Sequence, residues 1–175
     1  MNNHQGRKVF VLGGARSGKS ALALARASAL PGKKAYIATA QAFDDEMEVR
    51  RERHRLERLV DWDTFEEPLD LPGLLVKIRD SHDVILIDCL TLWLSNLMLA
   101  DRDILKETES FISALTSVRG SLFAVSNEVG FGIVSENEMA RKFRDLAGTL
   151  NQRAAAVADQ VYLVAAGIPI KIKEI

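Results

Sequence analysis

The sequence has little cysteine and no excess of charge of either sign. Cys89 is the single cysteine among 175 residues, so the chain cannot form an internal disulfide. The formal net charge is −1, from 23 basic and 24 acidic side chains. Because neither sign dominates, no global field attracts nucleic acid or an anionic membrane, and we expect no nucleic-acid partner.

Long apolar segments are also missing. No apolar run approaches the ~18 residues that a membrane-spanning helix needs, so we expect no transmembrane segment. The segment from Met1 to Lys8 lacks the apolar stretch of a signal peptide. A single unpaired cysteine is compatible with a reducing compartment. These absences together predict a cytoplasmic protein.

The composition that remains is that of a globular domain. Hydrophobic residues make up 47% of the chain and charged residues 27%, which excludes a disordered or collagen-like protein. A length of 175 residues suits one compact domain, because typical domains have roughly 100–200 residues. The chain shows no internal repeat and no linker, so we predict a single domain over residues 1–175.

Short apolar runs alternate along the chain with longer stretches of helical character. This alternation predicts an α/β fold, with a mostly parallel sheet flanked by helices. We predict strands over 9–12, 35–38, 84–87 and 122–125, and a closing C-terminal strand pair over 161–164 and 168–172. We predict helices over 19–30, 44–59, 90–100, 103–118 and 136–158.

Two segments carry more specific expectations about packing. The helix over 136–158 places Met139, Phe143, Leu146 and Leu150 on one face, which we expect to pack on the sheet. The segment 61–73 is less regular, and we predict that it is a connector over the surface. The two tryptophans, Trp62 and Trp93, are expected to be packing residues.

The strongest motif lies between the first predicted strand and the first predicted helix. Residues 13–20 read Gly-Gly-Ala-Arg-Ser-Gly-Lys-Ser and fit the phosphate-binding loop, or Walker A motif. Glycines let the backbone curl so that its N–H groups face phosphate oxygens, while the following helix directs its positive end at the same place. The predicted nucleotide-binding residues here are Gly13, Gly14, Ala15, Arg16, Ser17, Gly18, Lys19 and Ser20. The motif refines the expected fold to a P-loop NTPase type, RecA-like.

Individual side chains of this loop have distinct expected tasks. Lys19 is expected to reach the β- and γ-phosphates as a catalytic residue, and Ser20 to give its hydroxyl to Mg²⁺. Asp88 follows the apolar run 84–87 and fits the Walker B aspartate, which holds the metal or its water. The sequence therefore predicts a Mg²⁺ site formed by Ser20 and Asp88, with Asp88 also counted as catalytic.

Polar residues follow other predicted strands. Thr39 and Gln41 come after the second strand, and Asn127 and Glu128 come after the strand over 122–125. Ligands of open α/β sheets bind at this carboxyl edge, so Thr39 and Glu128 are candidate nucleotide-binding residues. The alternative is that these side chains serve turns and caps, as Asn, Thr and Gln often do.

The predicted helix over 44–59 is rich in charge. Arg50, His54 and Arg58 are spaced four apart, which places an imidazole between two guanidinium groups on one stripe. Arginine binds phosphoryl oxygens bidentately, and histidine is a competent covalent nucleophile. The stripe is thus a candidate site for gripping a phosphate. The alternative is a solvated helix face held by i,i+4 ion pairs.

The motifs taken together resemble one family. Besides residues 13–20, these are Ala-Thr-Ala-Gln at 38–41, Asp-Asp-Glu-Met at 44–47, Asp-Cys-Leu-Thr at 88–91, Asn-Glu-Val-Gly at 127–130, Phe-Arg-Asp at 143–145 and Asn-Gln-Arg at 151–153. Nearly the whole chain resembles the bifunctional adenosylcobinamide kinase/adenosylcobinamide-phosphate guanylyltransferases of cobalamin assembly. Some members have adjacent histidines where Arg53 precedes His54 here, and some carry Glu in place of Asp88.

The resemblance implies a two-stage reaction. ATP or GTP first phosphorylates adenosylcobinamide, and GMP is then transferred from GTP to adenosylcobinamide phosphate through a guanylylated histidine. His54 stands at the family's guanylylated position, with Arg50 and Arg58 as nucleotide-binding neighbours. The resemblance further implies a homotrimer, and the phosphate loop implies Mg²⁺ as cofactor. It leaves open whether Arg141, Arg144 and Arg153 face substrate or solvent.

Two other functions remain open from the residues alone. One is a small-molecule kinase that uses the phosphate loop and has no chemical task for His54. The other is a nucleotide-driven binding module, such as a RecA-like motor. A near-neutral chain with no aromatic-interleaved basic surface argues against the second.

Overall fold

The computed structural model describes residues 6–40 and 61–175. The predicted helix over 44–59 lies outside the described residues, and so do Gln41, Arg50, His54 and Arg58. All other sequence-predicted strands and helices fall within them.

A seven-stranded sheet forms the centre of the described fold. Its strands are β1 (Lys8–Gly13), β2 (Lys34–Ala38), β3 (Trp62–Glu66), β4 (Val84–Asp88), β5 (Ser121–Asn127), β6 (Gln160–Ala165) and β7 (Ile168–Glu174). They lie in the order β3-β2-β4-β5-β1-β6-β7. All neighbours are parallel except β6 and β7, which form the expected C-terminal antiparallel pair. The predicted fold class is confirmed.

Helices cover both faces of this sheet. They are α1 (Lys19–Ser28), α2 (Leu71–Ile78), α3 (Leu90–Leu99), α4 (Ile104–Ser117) and α5 (Glu138–Val157). Side chains of α1 join a core on one face, and side chains of the other four helices join a larger core on the opposite face. None of the helices in the described ranges is long and apolar enough to cross a membrane.

The period-two geometry of a strand explains why the central strands are apolar throughout. In β1, Phe10 and Leu12 belong to the larger core, while Val9 and Val11 belong to the core beneath α1. Successive side chains of a strand point to opposite faces, so a strand covered on both sides has no solvent-facing residue. The phosphate loop at the end of β1 is therefore anchored in the middle of the sheet.

The prediction for 61–73 is wrong, because this segment contains β3 and the start of α2. The Asp70 side chain caps α2 by accepting a hydrogen bond from the Gly73 N–H over 3.1 Å. Pro72 lies in the first turn, where a missing N–H leaves no intrahelical bond unmade. Trp62 is buried as expected, at the edge of the sheet.

Helix α5 corrects a second prediction. Leu150 is buried and Phe143 and Leu146 pack against the core, but Met139 is 67% exposed. A helix of 20 residues is about 30 Å long, whereas strands of five to seven residues are roughly 17–24 Å long. The helix is thus longer than the strands it packs on, and residues 138–140 in its first turn are exposed.

Candidate functional site

The phosphate loop connects β1 to α1, and glycines are required at both of its ends. A Cβ on Gly13 would lie 2.6 Å from the carbonyl oxygen of Val164, a distance that real side chains do not tolerate. Gly18 has a φ of +93° and precedes the first residue of α1. Such a backbone conformation favours glycine because a Cβ is strained there. The spacing of the two glycines thus follows from the path of the loop.

Two hydrogen bonds from outside the loop fix the direction of its peptides. The Glu128 N–H donates to the Gly13 carbonyl over 3.1 Å, and the Gly167 N–H donates to the Ser17 carbonyl over 2.8 Å. In a trans peptide the C=O and the following N–H point in opposite directions. The Glu128–Gly13 bond continues the β1–β5 ladder and holds the start of the loop, whereas the Gly167–Ser17 bond turns the Gly18 N–H toward the inside of the loop. Together with the positive end of α1, the Gly18 N–H forms an anion-binding cradle.

Lys19 and Ser20 begin α1 at this cradle. The Lys19 ammonium donates to the Gly14 carbonyl over 3.0 Å, so it lies across the mouth of the loop. The Ser20 hydroxyl donates to Oδ1 of Asp88 over 3.2 Å. This contact joins the phosphate loop at the end of β1 to the Walker B aspartate at the end of β4, which the sequence predicts as separate motifs.

Tyr36 is a further member of the site that sequence reasoning missed. Its hydroxyl donates to Oδ2 of Asp88 over 3.1 Å, so the two carboxylate oxygens each accept a hydroxyl. Ala38 pairs with Asp88 across β2 and β4, and Tyr36 lies two residues earlier on the same face of the sheet. Tyr36 could be identified by combining the alternation of side chains along β2 with the β2–β4 register.

The residues at Ser20 and Asp88 suit a magnesium ion. Hydroxyl and carboxylate oxygens are hard donors, and Mg²⁺ is typically held by one or two carboxylates together with substrate phosphates. Among residues 6–40 and 61–175, no group of three or more His, Cys, Asp or Glu side chains comes together as a cage. The donor set therefore fits a Mg²⁺ that is shared with a nucleotide.

Thr39 lies at the expected edge of the sheet, but its side chain is turned inward. It is fully buried. Its hydroxyl donates to the Cys89 carbonyl over 2.7 Å and accepts from the Cys89 N–H over 2.8 Å. The Asn96 amide donates to the Thr39 carbonyl over 2.7 Å. In this geometry Thr39 ties the ends of β2 and β4 together, which favours the alternative of a structural role over a contact with nucleotide.

Glu128 lies beside the phosphate loop at the end of β5. Its carboxylate accepts from the Gly130 N–H over 2.6 Å, and its own N–H binds Gly13. The preceding residue is held by two neighbours: Thr91 accepts from the Asn127 N–H, and Asn151 of α5 donates to the Asn127 carbonyl. The position of Glu128 is thus fixed by α3, α5 and the loop itself.

Cys89 follows Asp88 but is unsuited to chemistry. It is 5% exposed. Burial, and secondarily the negative charge of Asp88, raise the pKa of its thiol from 9.0 to about 11. A thiol with a raised pKa is protonated at neutral pH and is a poor nucleophile.

The arginines of α5 bind neighbouring backbone and side-chain groups. The Arg141 guanidinium donates to the carbonyls of Ser135 and Glu136, and Arg144 donates to the carbonyl of Gly132. Both side chains thereby fasten the segment that leads into α5. Arg153 pairs with Glu109 of α4.

One family model matches residues 9–172, and its description is cobinamide kinase/cobinamide phosphate guanyltransferase. The bifunctional adenosylcobalamin biosynthesis protein CobP of Pseudomonas aeruginosa is 42% identical over 166 residues, which are 94% of this chain and 96% of that protein. The bifunctional adenosylcobalamin biosynthesis protein CobU of Salmonella typhimurium is 41% identical over 180 residues, covering 94% of this chain and 99% of that one. CobU of Escherichia coli K12 is 40% identical over 183 residues with the same coverage.

Solved structures show the same fold at much lower identity. An ATPase from the type III secretion system of pathogenic bacteria has a TM-score of 0.54 at 10% identity, covering 94% of this chain and 56% of that one. The ATPase EscN of enteropathogenic Escherichia coli has a TM-score of 0.57 at 10% identity, covering 92% and 43%. These likenesses confirm the P-loop ATPase fold. The family match and the three relatives show that the chain has the kinase and nucleotidyltransferase class of activity, and that it belongs to the cobinamide kinase/cobinamide phosphate guanyltransferase family.

Proposed function

We propose that this protein phosphorylates adenosylcobinamide with ATP or GTP and then transfers GMP from GTP to the resulting adenosylcobinamide phosphate. The products are adenosylcobinamide-GDP and pyrophosphate. The family match supports the pair of activities, and the phosphate loop supports a nucleoside triphosphate as donor in both. The single observation that carries the proposal is the contact between Ser20 and Asp88, which joins the loop to a carboxylate at 3.2 Å.

The nucleotide is proposed to bind with its phosphates in the cradle over residues 13–20. The Gly18 amide faces phosphate oxygens, and Lys19 leaves the Gly14 carbonyl to reach the β- and γ-phosphates. Buried polar atoms also favour a ligand here. Among the described residues, the Ser17 hydroxyl oxygen is buried without a hydrogen-bond partner, which is costly unless a ligand or water satisfies it.

Ser20 and Asp88 are the residues that would hold Mg²⁺. Bound there, the ion would neutralise charge on the phosphates as a phosphoryl group moves. The Ser20 hydroxyl would be a ligand of the ion, and Asp88 would hold the ion or its water. The Lys19 ammonium stabilises the charge that develops on the departing phosphate oxygens.

In the kinase step the substrate's hydroxyl oxygen attacks the γ-phosphorus. A new P–O bond forms, the bond to the β-phosphate oxygen breaks, and the nucleoside diphosphate leaves while the hydroxyl proton is released. Glu128, beside the Gly13 end of the loop, is proposed to contact the nucleotide or this substrate. The protein's contribution is positioning and electrostatic stabilisation, as in phosphoryl transfer generally.

In the second step an imidazole nitrogen of His54 attacks the α-phosphorus of GTP. A P–N bond forms and pyrophosphate leaves. A phosphate oxygen of adenosylcobinamide phosphate then attacks the same phosphorus, the P–N bond breaks, and the imidazole is released. Arg50 and Arg58 are proposed to bind the α-phosphate, since guanidinium groups bind phosphate bidentately. The family resemblance and the four-residue spacing support these roles.

Three further expectations remain proposals. The resemblance implies a homotrimer, and a site shared between subunits would bring separate helices to one nucleotide. The cytoplasmic location expected from the sequence stays a prediction. The expected absence of a nucleic-acid partner rests on the near-neutral charge.

The proposal is tested by supplying the purified protein with adenosylcobinamide, GTP and Mg²⁺ and identifying products by mass spectrometry. The wild type is expected to form adenosylcobinamide-GDP, and the His54→Ala variant to stop at adenosylcobinamide phosphate. If the wild type also stops at the phosphate, the protein is a kinase only. If neither forms any phosphorylated corrinoid, the substrate assignment is wrong.

A further inference from the structure

Tyr36 contributes a hydroxyl to the carboxylate on which the proposed metal site depends. Its oxygen lies 3.1 Å from Oδ2 of Asp88, while Ser20 binds Oδ1. The carboxylate is thus held from both sides, by a residue of the loop helix and by a residue of β2. A carboxylate held at one oxygen can still rotate, whereas two bonds fix its plane.

The Tyr36 ring is itself tightly held. The residue is 6% exposed, and its ring packs edge-on against Trp62 of β3 with centroids 6.4 Å apart and planes at 77°. Edge-to-face packing of buried aromatic rings fixes orientation as well as burying area. The hydroxyl therefore has little freedom to follow a carboxylate that moves.

We propose that Tyr36 is a positioning residue for nucleotide-bound magnesium, acting through Asp88. On this proposal the phenol binds Oδ2 and directs Oδ1 toward Ser20. The carboxylate is then already oriented before the ion binds. Partners that orient a ligand to a metal typically change metal affinity about 10–100-fold when removed. The inference rests on the proposed placement of Mg²⁺ at Ser20 and Asp88, and it goes beyond the proposed reaction.

The alternative is that the Tyr36 hydroxyl merely satisfies its own hydrogen-bonding need. A matched control separates the two, because Tyr162 is also a buried tyrosine, with 3% exposure, on the same side of the sheet. The Tyr162 hydroxyl binds Arg26 and Gln160. The Tyr36→Phe and Tyr162→Phe variants each remove one buried hydroxyl and keep a ring.

The experiment titrates Mg²⁺ into the full-length protein with a fluorescent GTP analogue and measures nucleotide affinity, with a parallel series in EDTA. Mg²⁺ is expected to increase nucleotide affinity, and Tyr36→Phe is expected to raise the Mg²⁺ concentration that gives half of this increase about 10-fold. The nucleotide affinity of the variant in EDTA is expected to stay within twofold of wild type. Tyr162→Phe is expected to match wild type in both series. The analogue carries a methylene bridge between its α- and β-phosphates, so His54 cannot be guanylylated, and no corrinoid is present. Failure of the proposed reaction would therefore not affect the measurement.

A second variant keeps the test decisive. In an Asp88→Asn background, adding Tyr36→Phe is expected to change the Mg²⁺ titration no further, because Tyr36 acts through Asp88. A Tyr36→Phe curve that overlays wild type overturns the proposal. So does an equal loss of affinity with and without Mg²⁺, or a second 10-fold shift on top of Asp88→Asn.

Discussion

The hydroxyl of Ser20 lies 3.2 Å from Oδ1 of Asp88, although 68 positions of sequence separate the two residues. Ser20 is in the first turn of α1, and Asp88 is the last residue of β4. Strand β5 lies between β1 and β4 in the sheet, and α1 packs over both β5 and β4, which brings Ser20 to Asp88. The parallel topology brings both residues to the same carboxyl edge.

The first prediction concerns this pair. Asp88→Asn keeps the shape of the side chain but removes the charge that would face the metal. We expect the Mg²⁺-dependent kinase rate to fall about 10²–10³-fold, while nucleotide affinity in EDTA stays within a few-fold of wild type. Steady-state kinetics over a Mg²⁺ series, with nucleotide binding in EDTA as control, checks this. A rate close to wild type would contradict the assignment of Asp88.

The two glycines that open the loop are expected to respond differently to alanine. A Cβ on Gly13 would lie 2.4 Å from the Ser17 hydroxyl and 2.6 Å from the Val164 carbonyl, whereas one on Gly14 meets nothing within 4 Å. Gly13→Ala should lower the free energy of unfolding by about 1–3 kcal/mol, and Gly14→Ala by less than about 1 kcal/mol. Urea unfolding of both variants makes the comparison. Equal losses would show that the loop path is not set by Gly13.

Thr39 is expected to be a stability residue. Thr39→Val keeps the shape and leaves the N–H and carbonyl of Cys89 without the hydroxyl that binds both. An unsatisfied buried polar group costs about 1–3 kcal/mol, so the free energy of unfolding should fall by that amount while the Michaelis constant for nucleotide stays the same. Thr116→Val on the exposed face of α4 is the control. A changed Michaelis constant with unchanged stability would instead support a nucleotide-binding role for Thr39.

The buried thiol of Cys89 is expected to lower the free energy of unfolding at alkaline pH. Burial raises the pKa of its thiol from 9.0 to about 11, so the folded state holds the proton more tightly than the unfolded state. Its contribution is complete below pH 9 and is lost as the pH rises toward 11, by roughly 3 kcal/mol in total. Urea unfolding between pH 8 and 11 should show this loss in wild type and not in Cys89→Ala. Parallel pH curves for the two proteins would rule the thiol out.

Most of the fold follows from pattern, and the exceptions have physical causes. Strands buried on both faces are continuous apolar runs, so β1, β2, β4 and β5 are predictable. The edge strand β3 reads Trp-Asp-Thr-Phe-Glu, with polar residues that an edge tolerates and that resemble a loop. Helix α2 has Pro72 and Gly73 directly after its first residue, and this pair predicts a turn until the Asp70 cap is known.

In the candidate site, too, some residues could be predicted from the sequence and others could not. The loop and Asp88 are recognisable because their chemistry requires fixed residue types at fixed spacing. Tyr36 and the Gly167 contact depend on strand register and on a turn in the C-terminal hairpin, where Gly167 has a φ of +80°. Sequence spacing does not encode such contacts, since they join residues from different elements. The inward orientation of Thr39 was missed for the same reason.

The account depends most on a covalent intermediate at His54, and one measurement tests it directly. The purified protein is incubated with Mg²⁺ and GTP labelled at the α-phosphate, and protein-bound label is then measured. We predict acid-labile label in wild type, as expected of a phosphoramidate, and none in His54→Ala. Equal labelling of His54→Ala, or an unlabelled wild type that still forms adenosylcobinamide-GDP, would contradict the guanylyl-histidine mechanism.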